Sequence, residues 1–347
     1  MKHIIKNHLL PCISALGLLA LTGCYEDYVK DFDYSGAYLA YQYDLRTFVV
    51  GEGMEFKVGA VLGGVMENTR DRDVWFAFED DLVTDDLRLY VPDAETPFTA
   101  FTEMTGTTSV GAVSQDYVKS AMAASGIKAL TPLPLESVKV SEDKCFKIKK
   151  GYHTGTITIK ADSAAFLALP GAGPKPYYAI GFHITSADVD TVLLSRSYEV
   201  IAVRYENMLF GDWYHNGKTE IRQANGDLVS VSSYHGDINS SDICSLSTVA
   251  PDAVVADKLG NTDGKLKITI NGGAVSLSKA DGSAVEVEDM GSKYNNARLL
   301  QNRQLYLNYK FANADGTVSV VSDTLSFRNR IRDGVNEWQD ENPEHYN

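Results

Sequence analysis

Acidic side chains are the residues of this chain with the clearest capacity for acid–base chemistry. Hydrolysis of a glycosidic bond needs two carboxyl groups about 5 to 9.5 Å apart in a cleft. The chain has 46 acidic against 32 basic residues, so its carboxylates are expected mainly on a solvated surface. The acidic groups considered for catalysis are Glu79, Asp80, Asp81, Asp85, Asp86, Asp188 and Asp190. We predict that none of them forms a catalytic pair.

Nucleophilic and metal-dependent chemistry lack their motifs as well. The sequence contains no Gly-x-Ser-x-Gly elbow, no His-x-x-x-His, no Cys-x-x-Cys and no complete calcium loop. The histidines after residue 23 stand in predicted strands, turns or the tail with no motif around them: His153, His183, His215, His235 and His345. We therefore predict a protein that is not an enzyme and that has no catalytic residue, metal or cofactor.

Sugar binding needs residue types that this chain has in quantity. A sugar ring offers an apolar face and a rim of hydroxyl groups, so its complement is an exposed aromatic ring beside polar side chains. Trp338 stands in a polar stretch and is the first candidate, although packing of the C-terminal tail against the protein is the alternative. Tyr234 and His235, in a turn-like polar segment, are the second candidate pair, with a structural role as the alternative.

The N-terminus has the organisation of an export signal. Lys2 and Lys6 precede an apolar stretch over 13–21, which is too short to span a bilayer of about 30 Å. Residues 21–24, Leu-Thr-Gly-Cys, resemble the bacterial lipobox, which implies cleavage after residue 23 and acylation of Cys24. An ordinary secretory signal with a chance cysteine is the alternative.

Glu26 and Asp27 follow this cysteine directly. Acidic residues at these positions resemble the surface-export signal of lipoproteins in Bacteroidota-type outer membranes. The resemblance implies a lipid-anchored outer-membrane protein that faces the cell exterior.

Charge and cysteine content limit the partners and the covalent structure. Loss of Lys2 and Lys6 with the signal takes the formal net charge from −14 to −16. Such a surface repels nucleic acid. Apart from the acylated cysteine, the mature chain contains Cys145 and Cys244. We expect them to stay unpaired because they fall in different predicted domains.

The chain divides into five predicted segments. These are a signal peptide (1–23), a lipid-anchored tether (24–34), a β-sandwich domain (35–205), a β-barrel domain (206–333) and a polar C-terminal tail (334–347). Short alternating segments, clearest over 153–159, indicate an antiparallel sandwich of the immunoglobulin-like class in the first domain. Helices are expected only at 114–124 and 163–169.

Hairpins dominate the second domain. Asn-Gly or Asp-Gly pairs at 225, 263, 271, 281 and 315 are turn signals that suit the twist of paired strands. Eight strands are predicted, at 213–222, 228–233, 243–249, 266–270, 274–277, 284–287, 304–311 and 317–327. Closure into an up-and-down barrel removes exposed edges and is therefore favoured over a second sandwich.

Several motifs resemble two linked families of Bacteroidota surface lipoproteins. Val50-Gly51-Glu52 and the segments 62–64, 68–74, 148–151 and 178–187 are similar to the N-terminal domain of polysaccharide-utilisation lipoproteins. That domain type also precedes the catalytic barrel of some endo-β-N-acetylglucosaminidases, whose Asp-x-x-Asp-x-Asp-x-Glu signature is absent here. Segments 325–328 and 331–338 resemble the companion C-terminal family of unknown function. The resemblance implies a surface component beside a glycan importer.

A shorter motif, Gly211-Asp212-Trp213-Tyr214, is similar to the first strand of lipocalins. In that family the tryptophan packs at the closed end of the barrel beneath an arginine of the last strand. The resemblance implies that Gly211 and Trp213 are structural and that Arg328 or Arg330 covers Trp213 by a cation–π contact. The expected fold class is therefore all-β, an immunoglobulin-like sandwich followed by an antiparallel, lipocalin-like barrel.

These features favour a non-catalytic cell-surface lipoprotein that binds a glycan for a polysaccharide-utilisation system. Its expected partners are an oligo- or polysaccharide, an outer-membrane glycan importer complex and, through the lipid anchor, the membrane. Two alternatives stay open: a carrier of a small apolar ligand in the C-terminal barrel, and a structural or adhesive surface protein. An open cavity lined by aliphatic side chains would favour the carrier.

Overall fold

The computed structural model of the chain describes residues 34–83, 88–90, 98–100, 114–126, 130–140, 144–240 and 242–340. The predicted signal peptide and the residues predicted for acylation and surface export, Cys24, Glu26 and Asp27, lie outside the described residues. So do Asp85, Asp86 and His345. Neither of the described α-helices is long and apolar enough to cross a membrane.

Strands make up most of the described chain, which confirms the all-β class. The strands of the first half are β1 Gly36–Leu39, β2 Tyr43–Val50, β3 Glu55–Gly63, β4 Arg72–Phe78, β5 Arg88–Tyr90, β6 Phe98–Ala100, β7 Thr131–Pro132, β8 Val138–Val140, β9 Cys145–Ile148, β10 Thr154–Ala161, β11 Tyr178–Ala187, β12 Thr191–Val192 and β13 Tyr198–Asn207. Those of the second half are β14 Gly211–Arg222, β15 Leu228–Tyr234, β16 Ile243–Ala250, β17 Ala253–Leu259, β18 Thr262–Asn271, β19 Ala274–Lys279, β20 Val287–Asp289, β21 Lys293–Tyr294, β22 Gln304–Ala312, β23 Val318–Arg332 and β24 Val335–Glu337.

Two α-helices interrupt the strands, close to the predicted positions. They are α1 Asp116–Ser125 and α2 Ser163–Leu167, and 3-10 turns lie at Asp80–Leu82, Leu135–Ser137, Leu194–Arg196 and Leu300–Asn302. The Asp162 side chain accepts a hydrogen bond from the backbone N–H of Ala165 at 3.2 Å, so α2 begins at an aspartate cap.

Two sheets of the first half enclose one apolar core. One sheet has the order β12-β1-β3-β10-β8, and the other has the order β2-β13-β11-β4-β9, with β7 on β11. Alternation directs one side chain in two inward: Val58 of β3 lies opposite Ile157 of β10. Phe76 packs against Phe146 and Phe182 of the second sheet at ring distances of 4.7 and 5.6 Å. Helix α1 covers that sheet's other face with Val118, part of a separate apolar cluster.

The second half closes into a ring of eight strands. The ring runs β14-β16-β17-β18-β19-β21-β22-β23 and returns to β14, because β23 pairs along the length of β14. Its interior contains a buried apolar cluster, which includes Leu266 and Ile268 of β18 and Leu305 and Leu307 of β22. The inward side chains therefore pack against one another.

The number of ring strands matches the prediction, but the membership differs. Strand β15, predicted as a member, pairs with the second half of β14 and lies outside the ring, because β16 takes the first half of the same edge. The predicted strand at 284–287 corresponds to β20, which pairs with β22 beside the ring. Strands β17 and β21, which were not predicted, complete the ring.

Asn207 joins the two sheet systems. Its backbone N–H donates to Thr248 Oγ1 at 3.0 Å, and its Nδ2 donates to the Pro251 carbonyl at 2.8 Å. Its Oδ1 accepts from the N–H of Leu209 at 2.9 Å, which shapes the short link from β13 to β14. The division into domains at 205/206 stays a prediction.

Candidate functional site

Glu52 is the centre of the contact between the sandwich and the barrel. It lies in the turn between β2 and β3, and its carboxylate accepts two hydrogen bonds from Arg330, at 2.8 and 2.7 Å, and one from Arg303, at 2.7 Å. Arg330 also donates from Nε to Glu337 at 2.6 Å. Both arginine side chains are almost completely buried. Such charge-assisted, partly bidentate pairs fix geometry as well as supply energy.

The electrostatics of Glu52 follow from these partners. Burial raises the pKa of a carboxyl group, but the hydrogen bonds and charges of Arg330 and Arg303 outweigh it and lower the pKa of Glu52 to about 2. Glu52 is therefore ionised across the physiological pH range and has no proton to donate.

A C-terminal strap, residues 335–340, presents Trp338. Glu337, directly before the tryptophan, is bound by Arg330 and Arg332. Asp340, two residues after it, accepts a hydrogen bond from the backbone N–H of Leu300 at 2.7 Å. Trp338 itself is 59% exposed. An aromatic ring is thus open to solvent on a backbone anchored at both sides.

The β23–β24 hairpin, which leads directly into Trp338, carries several polar side chains. Asn336 pairs with Ile331, which is 66% exposed, and accepts a hydrogen bond from the amide of Asn329 at 2.7 Å. The half-exposed Arg328 donates to Asn329 and lies 3.7 Å from Asp212. The hairpin therefore combines an apolar ring with carboxamide, guanidinium and carboxylate groups.

A cleft of about 610 Å³ opens where the sandwich meets the barrel. We call it the junction cleft, and it is lined by residues 50–53, 207–208, 251–252, 270–273, 294, 296–298 and 303. Its volume falls in the range of about 300–1,000 Å³ typical of small-ligand sites. Glu52 and Arg303 belong to its wall, so the ion cluster that joins the two sheet systems also shapes this cleft.

Tyr234, the last residue of β15, and His235, the residue after it, have different surroundings. The Tyr234 hydroxyl donates to Asp323 inside the barrel, whereas the His235 ring is exposed and lies 3.5 Å from Asp237. Burial and the nearby Asp323 raise the pKa of Tyr234. The Tyr234 hydroxyl is engaged in the protein interior, so the two residues do not form one surface patch.

The predicted barrel motif is placed as follows. Trp213 is fully buried, donates from its indole to the Leu209 carbonyl at 3.1 Å and packs edge-on against Phe327 at 5.5 Å. The Arg330 guanidinium lies 5.0 Å from the Phe210 ring, so the cation–π contact found there is with Phe210. Gly211 has φ +127°, and a side chain on it would collide with Arg330. Arg328 lies on the exposed hairpin described above.

A buried polar network inside the barrel was missed by the sequence analysis. His215 is fully buried, with Nε2 3.3 Å from Asp323 and Nδ1 3.3 Å from Asp242. The Tyr309 hydroxyl donates to Asp323 at 3.2 Å. Burial lowers the pKa of His215, but its interactions with Asp323 and Asp242 outweigh this and leave the pKa raised. The available signal was alternation, since Asp323 stands between the apolar, inward-facing Val321 and Leu325.

The remaining candidate groups are dispersed. Asp190 accepts hydrogen bonds from the N–H and hydroxyl of Ser35, and Glu79 lies 3.7 Å from His183. Cys145 and Cys244 are both buried and free. In the ranges that the structure describes, no three His, Cys, Asp or Glu side chains are grouped to hold a metal ion.

No protein-family model matches this chain, and no curated protein sequence matches it. Among solved structures, a Bacteroides ovatus protein of unknown function is similar at 17% identity and a TM-score of 0.59, covering 89% of this chain and 98% of its own. An auxiliary nutrient binding protein of Bacteroides thetaiotaomicron aligns at 13% identity and a TM-score of 0.37, covering 85% of this chain and 95% of its own. A multidomain Bacteroides ovatus protein including DUF1735 aligns at 11% identity and a TM-score of 0.35, covering 88% of this chain and 100% of its own. The first likeness shows that this all-β fold also occurs in Bacteroides.

Proposed function

We propose that this protein is a non-catalytic, lipid-anchored lipoprotein of the outer surface that captures a neutral glycan and passes it to an importer complex. The observation that carries the proposal is Trp338, an exposed ring on an anchored strap. Stacking of a sugar on an aromatic ring requires an open face and loses least entropy when the ring's backbone is already ordered. The lipobox-like segment at Cys24 supports the surface location.

The charge of the chain supports a neutral ligand. A formal charge of −16 on the mature chain disfavours anionic polymers. Single aromatic platforms bind sugars weakly, with dissociation constants in the micromolar to millimolar range, about −8 to −4 kcal/mol. Many anchored copies on one cell would provide retention through avidity.

The carboxyl groups of the clefts support a binding role without catalysis. A glycosidase needs one carboxyl group that is protonated near neutral pH, and Glu52 in the junction cleft is held ionised. Glu206, in a second cleft of about 370 Å³ that Asp212 also lines, has a pKa raised by burial, although Thr248 and Arg204 oppose the shift. Glu206 is the acid on which the non-catalytic proposal is most directly tested.

The apolar-carrier alternative is disfavoured by the barrel interior. A carrier needs an open cavity, whereas the barrel interior holds a packed, buried apolar cluster that includes Trp213 and Phe327, beside the His215–Asp323 network.

The experiment uses the lipid-free chain from Tyr25 onward, which retains every described residue. Native affinity gels with starch, xylan, galactomannan and arabinan identify the polymer that retards it. Trp338→Ala should weaken that retardation by about tenfold, because it removes a stacking contact of about 1.4 kcal/mol. The unfolding free energy should change by less than about 0.5 kcal/mol. Tyr152→Ala, which removes a ring that is 66% exposed on the sandwich, is the matched control and should change neither.

Retardation of Trp338→Ala equal to that of the wild type, or a wild-type chain retarded by no polymer in the panel, would contradict the proposal. Release of oligosaccharide products that disappears in Glu206→Gln would show that the protein is an enzyme.

A further inference from the structure

We propose that the junction cleft is a second binding site, distinct from Trp338, which takes the end of a neutral oligosaccharide. The class of ligand rests on the proposed function, whereas the site itself is inferred from the geometry of the cleft. The cleft takes its walls from both sheet systems: residues 50–53 follow β2, and residues 251–252 and 270–273 connect barrel strands. A ligand there would touch parts of the chain some 200 residues apart in sequence.

Four polar side chains of the cleft are available to a ligand. Asp252, Asn271, Asn296 and Arg298 line it, and within the described residues their side chains make no hydrogen bond or ion pair. All four are solvent-exposed. Asn207 and Glu52, which also line the cleft, instead use their side chains in hydrogen bonds that hold the structure. The cleft thus offers one carboxylate, one guanidinium and two carboxamides that the fold does not use.

The apolar part of the cleft complements the polar groups. Val50, Met208 and Ile270 contribute partly buried aliphatic side chains to its wall. A sugar presents C–H faces to such a surface and hydroxyl groups to carboxylate and carboxamide partners. The set therefore matches a polyhydroxylated ligand.

A free amino acid fits this set less well. It would depend on pairing its two charges with Asp252 and Arg298, and exposed ion pairs are worth only about 0–1 kcal/mol. A neutral sugar gains several hydrogen bonds and apolar contacts without removing a charge of its own from water. The balance favours the saccharide.

The cleft is held in shape before a ligand arrives. Arg303, in its wall, is bound to Glu52, to the Met208 carbonyl and to the Arg298 carbonyl. Gly273 has φ +94°, and a side chain added to it would collide with Asn296. Preorganisation of this kind lowers the entropy lost on binding.

Methyl NMR on the lipid-free chain from Tyr25 onward tests the site directly. Met208 and Ile270 provide methyl reporters inside the cleft, and Met290, exposed elsewhere on the barrel, provides the control reporter. The probes are maltose, cellobiose, mannobiose and xylobiose, with glycine and glutamine as amino-acid probes. We expect at least one disaccharide to shift both cleft reporters saturably, with a dissociation constant of about 1 mM, and to leave Met290 unshifted.

Variants of the free side chains locate the contact. Asp252→Ala should weaken that binding about tenfold, because it removes a charged hydrogen-bond acceptor, and Asn271→Ala should weaken it about threefold. Asp281→Ala is the matched control: Asp281 is an exposed carboxylate in a separate groove on the barrel, and its loss should leave the affinity unchanged.

The outcomes separate this inference from the proposed function. Cleft reporters that no disaccharide shifts, or that only the amino acids shift, would overturn the inference, even if Trp338→Ala abolishes polymer retardation. An affinity unchanged by Asp252→Ala would overturn it as well. Saturable cleft shifts that persist in Trp338→Ala support the second site, and they would do so even if the wild-type chain is retarded by no polymer.

Discussion

Removal of the Glu52 carboxylate should destabilise the protein by several kcal/mol, because two buried arginines depend on it. The side chains of Arg303 and Arg330 are 3% and 2% exposed. Arg330 keeps Glu337 as a second carboxylate, but Arg303 loses its charged partner. Loss of one member of a buried ion pair costs about 3–5 kcal/mol, and we expect the lower end of this range for Glu52→Gln.

The pKa of Glu52 provides a second estimate of the same quantity. It falls from a reference value of 4.5 to about 2 in the folded protein. At about 1.4 kcal/mol per pH unit, this depression corresponds to about 3 kcal/mol of stability. Because the folded pKa is the lower one, that stability is present above about pH 4.5 and is lost as the pH falls towards 2. The two estimates agree in magnitude.

The measurement is denaturant unfolding of the lipid-free chain from Tyr25 onward at pH 7 and at pH 3. Glu55→Gln is the matched control, because Glu55 lies three positions after Glu52 and is half-exposed, where it pairs with Lys160. It should change the free energy of unfolding by less than about 0.5 kcal/mol. The double variant Glu52→Gln with Arg303→Met should recover part of the loss, because it removes the uncompensated charge. A Glu52→Gln variant within 1 kcal/mol of the wild type at pH 7 would refute the reasoning.

Two further predictions concern the anchor and the barrel network. Cys24→Ala should abolish labelling by a fatty-acid probe and release the protein from membranes, since acyl chains supply the affinity, and membrane retention of this variant would reject the lipobox interpretation. His215→Gln should lower unfolding free energy by about 2 kcal/mol below pH 6, because protonated His215 lies between Asp323 and Asp242. The folded pKa of His215 is raised, so the loss of unfolding free energy in this variant should shrink as the pH rises through that pKa. A loss that is constant from pH 5 to 9 would show that the network is not charged.

Local chemistry made much of the β architecture predictable. Strand alternation depends on neighbours two residues apart, and the Asn-Gly and Asp-Gly pairs specify tight turns within a few residues. These signals were enough to place most of the barrel strands. Strand β17 was not predicted because Ala253–Leu259 has no clear polar alternation. Strand β15 was assigned to the ring because its sequence shows that it is a strand but does not show which part of β14 it pairs with.

The exposure of a candidate site residue was predictable where its neighbours in sequence are polar. Trp338 stands among polar neighbours, and the structure presents it to solvent. Tyr234 and His235 were grouped because they are adjacent, yet β15 ends at Tyr234 and His235 is exposed beyond it. Asp323, 89 residues away, engages the tyrosine. The junction cleft has no sequence signal of its own, because its walls come from seven separate segments.

The sequence by itself determined the all-β class, the hairpin turns and the excess of acidic over basic residues, and it predicts an export signal, because each of these depends on composition or on residues a few positions apart. Tertiary structure decided that Glu52 meets Arg303 and Arg330, 251 and 278 residues away, and that His215 meets Asp323. Pairing of β14 with β23 brings His215 to Asp323, and packing of the sandwich against the barrel brings Glu52 to the two arginines. Burial then makes their pairing obligatory, because an unpaired charge in the interior is costly. Local residue patterns specify elements, whereas the partners of buried charges depend on how those elements are packed.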